Sequence, residues 1–125
     1  MSPRLLTASY RAMRDRQPEG GVQGVRISIG RPWFWREACR WPIAAALAPW
    51  GLMKIEDDDE FAARYMERLE RHGVEAIQAQ LDAIAAETDA HSLVMCCFEP
   101  VSSECHRDTW ALWWREQTGR HVTEL

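Results

Sequence analysis

Leu93-Val94-Met95-Cys96-Cys97-Phe98-Glu99, with Cys105-His106-Arg107 following after five residues, is the stretch on which the fold turns. The short apolar run reads as a strand. It gives way to a polar loop and then to a helical pattern, so the order is strand, loop, helix N-terminus. In an α/β fold that is where backbone N–H groups point at an anion. Two thiols, a carboxylate, an imidazole and a guanidinium converge there, which marks a site without naming a reaction.

Downstream, Trp110, Ala111, Leu112, Trp113 and Trp114 make a helix from about Glu104 to Thr118 apolar around much of its girth, and Gly119 closes it. His121 to Leu125 reads as a short terminal strand. Upstream, Phe61, Tyr65, Met66 and Leu69 recur at helical spacing, and Gly73 supplies a stop. The acidic run Glu56 to Glu60 before them reads as N-caps and helix-dipole partners; a carboxylate metal site is the sharper alternative. Val74, Ile77, Leu81, Ile84 and Ala85 share one face of a second helix that ends near Thr88-Asp89.

The amino-terminal part is less regular. Leu5 to Tyr10 reads as a first strand and Arg11 to Arg16 as a charged connector or a helical turn, before Pro18-Glu19-Gly20-Gly21 breaks the chain. Val25 to Gly30 alternates apolar and polar residues like a half-covered strand. Residues 31–52, punctuated by proline, predict an irregular segment with short helical pieces. Strands separated by helical crossovers predict a small three-layer α/β domain spanning residues 1–125. Its mainly parallel sheet has four strands, near 5–10, 25–30, 92–98 and 121–125, with helices on both faces.

At 125 residues the chain has the length of one domain, and 46% hydrophobic with 27% charged residues is ordinary for a globular one. A net charge of −4 gives no support to a protein held to nucleic acid by bulk electrostatics, although a local basic surface stays open. Nothing approaches the roughly eighteen apolar residues that a membrane span needs, and no signal peptide is visible. Cys96 and Cys97 are adjacent in a strand and face opposite ways, so they cannot serve one compact site. A cytoplasmic protein without a membrane partner is expected. Its oligomeric state stays open. Walker loop, GxGxxG and HExxH are all absent, so no cofactor is predicted.

The motif residues themselves resemble a known family. An apolar strand, Cys97-x-Glu99, five residues, Cys105-His106-Arg107, a helix carrying Trp110-Ala111 and the Gly119–Val122 ending resemble the bacterial family catalogued as domain of unknown function 488. More loosely, Thr7-Ala8-Ser9-Tyr10, the Val25–Ile29 strand, Pro32-Trp33 and Leu47-Ala48-Pro49 are similar to its subgroup with a Thr-Ser-Tyr start, where Ala8 here intervenes. That family implies no chemistry, because none is assigned to it.

The residues suggest their own chemistry. Cys105, at a helix start beside Arg107, is the candidate reactive thiol, Glu99 a general base or acid, and His106 a proton shuttle. Arg107 offers a bidentate clamp for phosphate or carboxylate, Ser102 and Ser103 are N-caps able to cradle an anion, and Cys97 lies beside Glu99. Trp33, Trp35 and Trp41, with Arg31, Arg36 and Arg40 between them, either stack on a base and hold a phosphate or simply pack over the sheet; Arg31 and Trp33 are the binding candidates. The leading expectation is a small cytoplasmic enzyme acting on an anionic, phosphate-bearing substrate, such as a nucleotide or a nucleic-acid end. One alternative is a non-catalytic module binding a ligand, nucleic acid or protein, in which Glu99 and Arg107 are an ion pair and Cys97 a small buried hydrophobe. Another is a metal-binding protein with zinc or iron at Cys97, Cys105 and His106, although the spacing matches no common zinc pattern.

Overall fold

The computed structural model describes residues 2–16, 19–98 and 106–125. Among these are four strands, β1 (Arg4–Ser9), β2 (Val22–Arg26), β3 (Ser92–Cys97) and β4 (Thr123–Glu124), forming an all-parallel sheet in the order β2-β3-β1-β4. The helices are α1 (Tyr10–Arg16), α2 (Asp58–His72), α3 (Val74–Thr88) and α4 (His106–Thr118), with 3₁₀ turns at Ala38–Arg40 and Ala45–Leu47. This is the small α/β domain that the sequence predicts.

Its layers follow from the direction of the crossovers. From β1 to β2 the chain steps past β3 to one edge, whereas β2 to β3 and β3 to β4 step the opposite way. Right-handed connections therefore place α1 on one face and α2, α3 and α4 on the other. The core divides accordingly. Leu5, Leu93, Met95 and Cys97 pack with Tyr65, Leu69, Leu81, Trp110 and Trp114. Leu6, Ala8, Val94 and Cys96 pack with Tyr10, Met13, Trp35 and Trp41 on the reverse side. Cys96 and Cys97 do face opposite layers.

Local chemistry sets the boundaries. The acidic run is a helix start, with Asp57 accepting from the N–H groups of Asp59 (2.9 Å) and Glu60 (3.4 Å). Gly73, at φ +84°, ends α2 and opens α3, a backbone conformation that an L side chain resists. The charged connector after β1 is the helix α1, because the Ser9 hydroxyl accepts from Ala12 N–H (3.1 Å) while Tyr10 and Met13 are buried. Tyr10 thus belongs to the helix and not to the strand.

The second strand runs over Val22–Arg26, earlier than the alternating pattern near 25–30 predicts. Gly24 counts against a strand by propensity, yet the Trp41 ring fills the space where its Cβ would stand. Ile27 N–H still donates to the Cys96 carbonyl (3.1 Å), and beyond it the Ser28 hydroxyl donates to the Gly30 carbonyl (2.7 Å) and bends the chain. The outer edge of β2 is covered through Arg26 N–H to Pro42 carbonyl (2.8 Å) and Ala44 N–H to Arg26 carbonyl (3.0 Å). The terminal strand is only Thr123–Glu124, pairing with Leu6 and Thr7.

Candidate functional site

Because the crossovers reverse between β1 and β3, the connections leaving these neighbouring strands depart to opposite faces. Their shared carboxyl edge is the topological switch point of the sheet, where parallel α/β folds hold ligands. Cys97 ends β3 there, opposite Ser9 of β1. His106 and Arg107 open α4 on the α2–α4 side.

Arg107 is completely buried, and its guanidinium is matched from two sides. Nε donates to both carboxylate oxygens of Glu124 (3.1 and 3.2 Å), Nη2 donates to Glu124 Oε2 (3.1 Å), and Nη1 donates to the Cys97 sulfur (2.8 Å). The Thr7 hydroxyl donates to Glu124 Oε1 (2.5 Å). One polar network thus ties β1, β3, β4 and α4 beneath the sheet edge. The parallel register that sets Glu124 beside Thr7 produces it, and no sequence spacing reveals that register.

His106 is buried in the wall of an adjoining cleft. Nε2 donates to the Ile27 carbonyl (2.6 Å), which fixes that nitrogen as the proton carrier. The ring stands edge-on to Tyr65 (5.5 Å between centroids) and near Phe61 (6.5 Å). With Nε2 committed as a donor, that nitrogen is not disposed to ligate a metal. Among the described residues no group of three His, Cys, Asp or Glu side chains stands together as metal ligands would.

The cleft, about 490 Å³, opens between the segments following β2 and β3 and the first turns of α2 and α4. Ile29, Met53, Phe98 and Leu112 give it apolar walls, and Asp58, Asp59 and Asp108 give it carboxylates. Desolvation raises the Asp108 carboxyl, Arg107 opposes the rise and Glu124 adds to it. Ser28 also lines the cleft and receives the buried Tyr10 hydroxyl (2.7 Å), its own proton being committed to Gly30. Tyr10 in turn meets Phe98 edge-on at 5.0 Å.

The structure therefore places His106 in a cleft wall and Cys97 and Arg107 in the neighbouring network. Glu99, Ser102, Ser103 and Cys105 lie outside the described residues. Arg31 and Trp33 are on the surface beyond β2, where Trp33 is 83% exposed and edge-on to Phe34 (5.7 Å). Trp35 and Trp41, by contrast, pack against each other at 4.7 Å over the sheet. Sequence reasoning missed Glu124, Ser28 and Asp108. The first two depend on tertiary register, whereas Asp108, next to the motif in the first turn of α4, was open to inspection.

No protein-family model, curated protein or solved structure matches this chain. No helix among the described residues is long and apolar enough to cross a membrane.

Proposed function

We propose that this chain is a small enzyme whose substrate occupies the cleft at the carboxyl edge of β2 and β3, with His106 as the group that handles a proton. The observation that carries this reading is the placement of His106. An imidazole is held at one nitrogen by a backbone carbonyl, flanked by two aromatic rings and set in the wall of a ligand-sized cavity. The chemistry of the motif residues adds Glu99 and Cys105 as candidate partners in the reaction, and a cytoplasmic setting belongs to the same proposal. An anionic substrate was expected to use Arg107 as its clamp. With that guanidinium held by Glu124, the anion reading rests on the α4 N-terminus and on the exposed Arg31 and Trp33, with Ser102 and Ser103 outside the described residues.

The test pairs a conversion screen over small metabolites with binding followed by NMR. His106→Asn should lower conversion by about a hundredfold or more while substrate shifts at Phe98 and Leu112 persist. Ala62→Trp, which fills the cleft from α2, should remove both. Conversion that survives both substitutions in folded protein overturns the proposal.

A binding module is the second reading, and the exposure of Trp33 favours it. A large indole held against Phe34 and left to solvent is suited to docking a partner. Trp33→Ala should then weaken partner binding and leave any conversion at the cleft unchanged.

A further inference from the structure

The exposed apolar side chains are not scattered. Of the six large hydrophobic residues that stand exposed among the described ones, Ile29, Met53, Phe98 and Leu112 all border the same cleft. A fifth, Trp50, follows Pro49, which also lines it. Solvent-facing apolar surface gathered around a concavity marks a place where something apolar is received.

Charge is equally one-sided there. Asp58 and Asp59 come from the first turn of α2 and Asp108 from the first turn of α4. Among the described residues none of the three has an ion-pair partner, and no lysine or arginine lines the cleft. Arg107, the buried cation of the motif, does not line the cleft and pairs with Glu124, although its charge is felt at Asp108. Two helix N-termini offset part of this negative charge. The walls themselves supply acceptors, with the Ser28 and Thr109 hydroxyls beside the three carboxylates.

Resting on the enzyme reading above and giving its substrate class, the geometry points to a small organic cation as the occupant: an aromatic or branched aliphatic body seated among Ile29, Met53, Phe98 and Leu112, with an amine turned toward Asp58, Asp59 and Asp108. The cavity volume suits such a molecule and is small for a folded protein segment. Charge complementarity selects the amine over a carboxylate or phosphate ester of the same size, because either anion would meet three unpaired carboxylates.

The test uses three probes of matched shape with the full chain at low ionic strength: phenethylamine, 3-phenylpropionate and phenyl phosphate. Binding is followed by NMR shifts at Ile29, Met53, Phe98 and Leu112. Phenethylamine should bind in the cleft about fivefold or more tightly than either anion. Asp58→Asn with Asp108→Asn should remove that preference, while Glu67→Gln on the exposed side of α2 should not. Equal or tighter binding of an anionic probe at these same residues overturns the inference and leaves the enzyme reading standing. If no probe shifts the cleft residues, the inference fails as well, and the enzyme reading is then decided separately by His106→Asn and Ala62→Trp.

Discussion

Arg107 and Glu124, seventeen residues apart, form a buried ion pair that joins the start of α4 to the last strand of the sheet. The guanidinium is wholly enclosed while the carboxylate keeps 24% of its side chain exposed, so the pair is asymmetric. Removing the partner of an enclosed charge is costly, because water does not reach the charge left behind to replace it. Glu124→Gln should destabilise the domain by about 3 kcal/mol or more. Replacing both residues with apolar ones, Arg107→Met and Glu124→Leu, should be milder than either single change. Chemical denaturation checks both, and a double replacement as damaging as the sum of the singles refutes the account.

Gly24 and Trp41 form a second dependent pair. The indole lies where a Cβ at position 24 would have to go, with ring atoms closer than any Cβ contact allows. Gly24→Ala should therefore cost about 1–3 kcal/mol through overpacking. Gly20→Ala, which meets nothing within 4 Å, serves as the control and should stay near neutral. Thermal unfolding of the two variants side by side decides the matter.

These two pairs also show what the sequence could and could not disclose. Apolar periodicity and caps identified β3, α2, α3 and the body of α4, since each is set by contacts within a few residues or by a continuous buried run. Asp57 and Gly73 act locally, and they act as the pattern indicates. The β2 boundary failed because a glycine looks unfavourable in a strand until Trp41, distant in sequence, covers it. The α1 helix was legible only as a charged connector or a helical turn, because its arginine-rich outer side hides the fact that Tyr10 and Met13 are buried. At the site, chain order was enough to bring Cys97, His106 and Arg107 to one edge. The partner of Arg107 was not legible, because Glu124 arrives through β-pairing of a strand only two residues long.

Two buried tyrosines give the domain a predictable alkaline limit. Burial raises Tyr10 and Tyr65 well above the ordinary phenol range; the Ser28 hydrogen bond opposes this at Tyr10 and Arg68 opposes it at Tyr65. Once the pH passes about 10, an unfolded chain has released these protons while the folded chain still binds them. The folded state then holds more protons, so stability must fall as pH rises further. Urea unfolding should give a steady midpoint between about pH 7 and pH 8, a first decline above about pH 8.5 from the buried Cys96 thiol, and a steeper one above about pH 10 from the tyrosines. Tyr65→Phe should flatten part of that decline, at the expense of the hydroxyl's bond to the Leu47 carbonyl (2.6 Å). A midpoint that does not move up to about pH 11 excludes the tyrosines as its source.

Cys39 and Cys96 are both free, and the fold should make them react very differently. Cys96 is fully enclosed in β3, its sulfur donating to the Val94 carbonyl (3.3 Å), and burial pushes its ionisation far above the ordinary thiol range. Alkylation needs the thiolate, so Cys96 is protected both by inaccessibility and by its held proton. Cys39 is only half-buried in the 3₁₀ turn Ala38–Arg40, where its sulfur donates to the Pro32 carbonyl (3.3 Å). With iodoacetamide in native buffer, Cys39 should label faster than Cys96 by about two orders of magnitude. Raising the pH from about 7 to about 8.5 should leave Cys96 labelling slow, since burial holds its proton far above that range. In strong denaturant the two rates should converge, since enclosure and the raised ionisation both belong to the fold. Peptide mass spectrometry resolves the sites. Equal native rates would mean that β3 opens faster than a central strand buried along its whole length can.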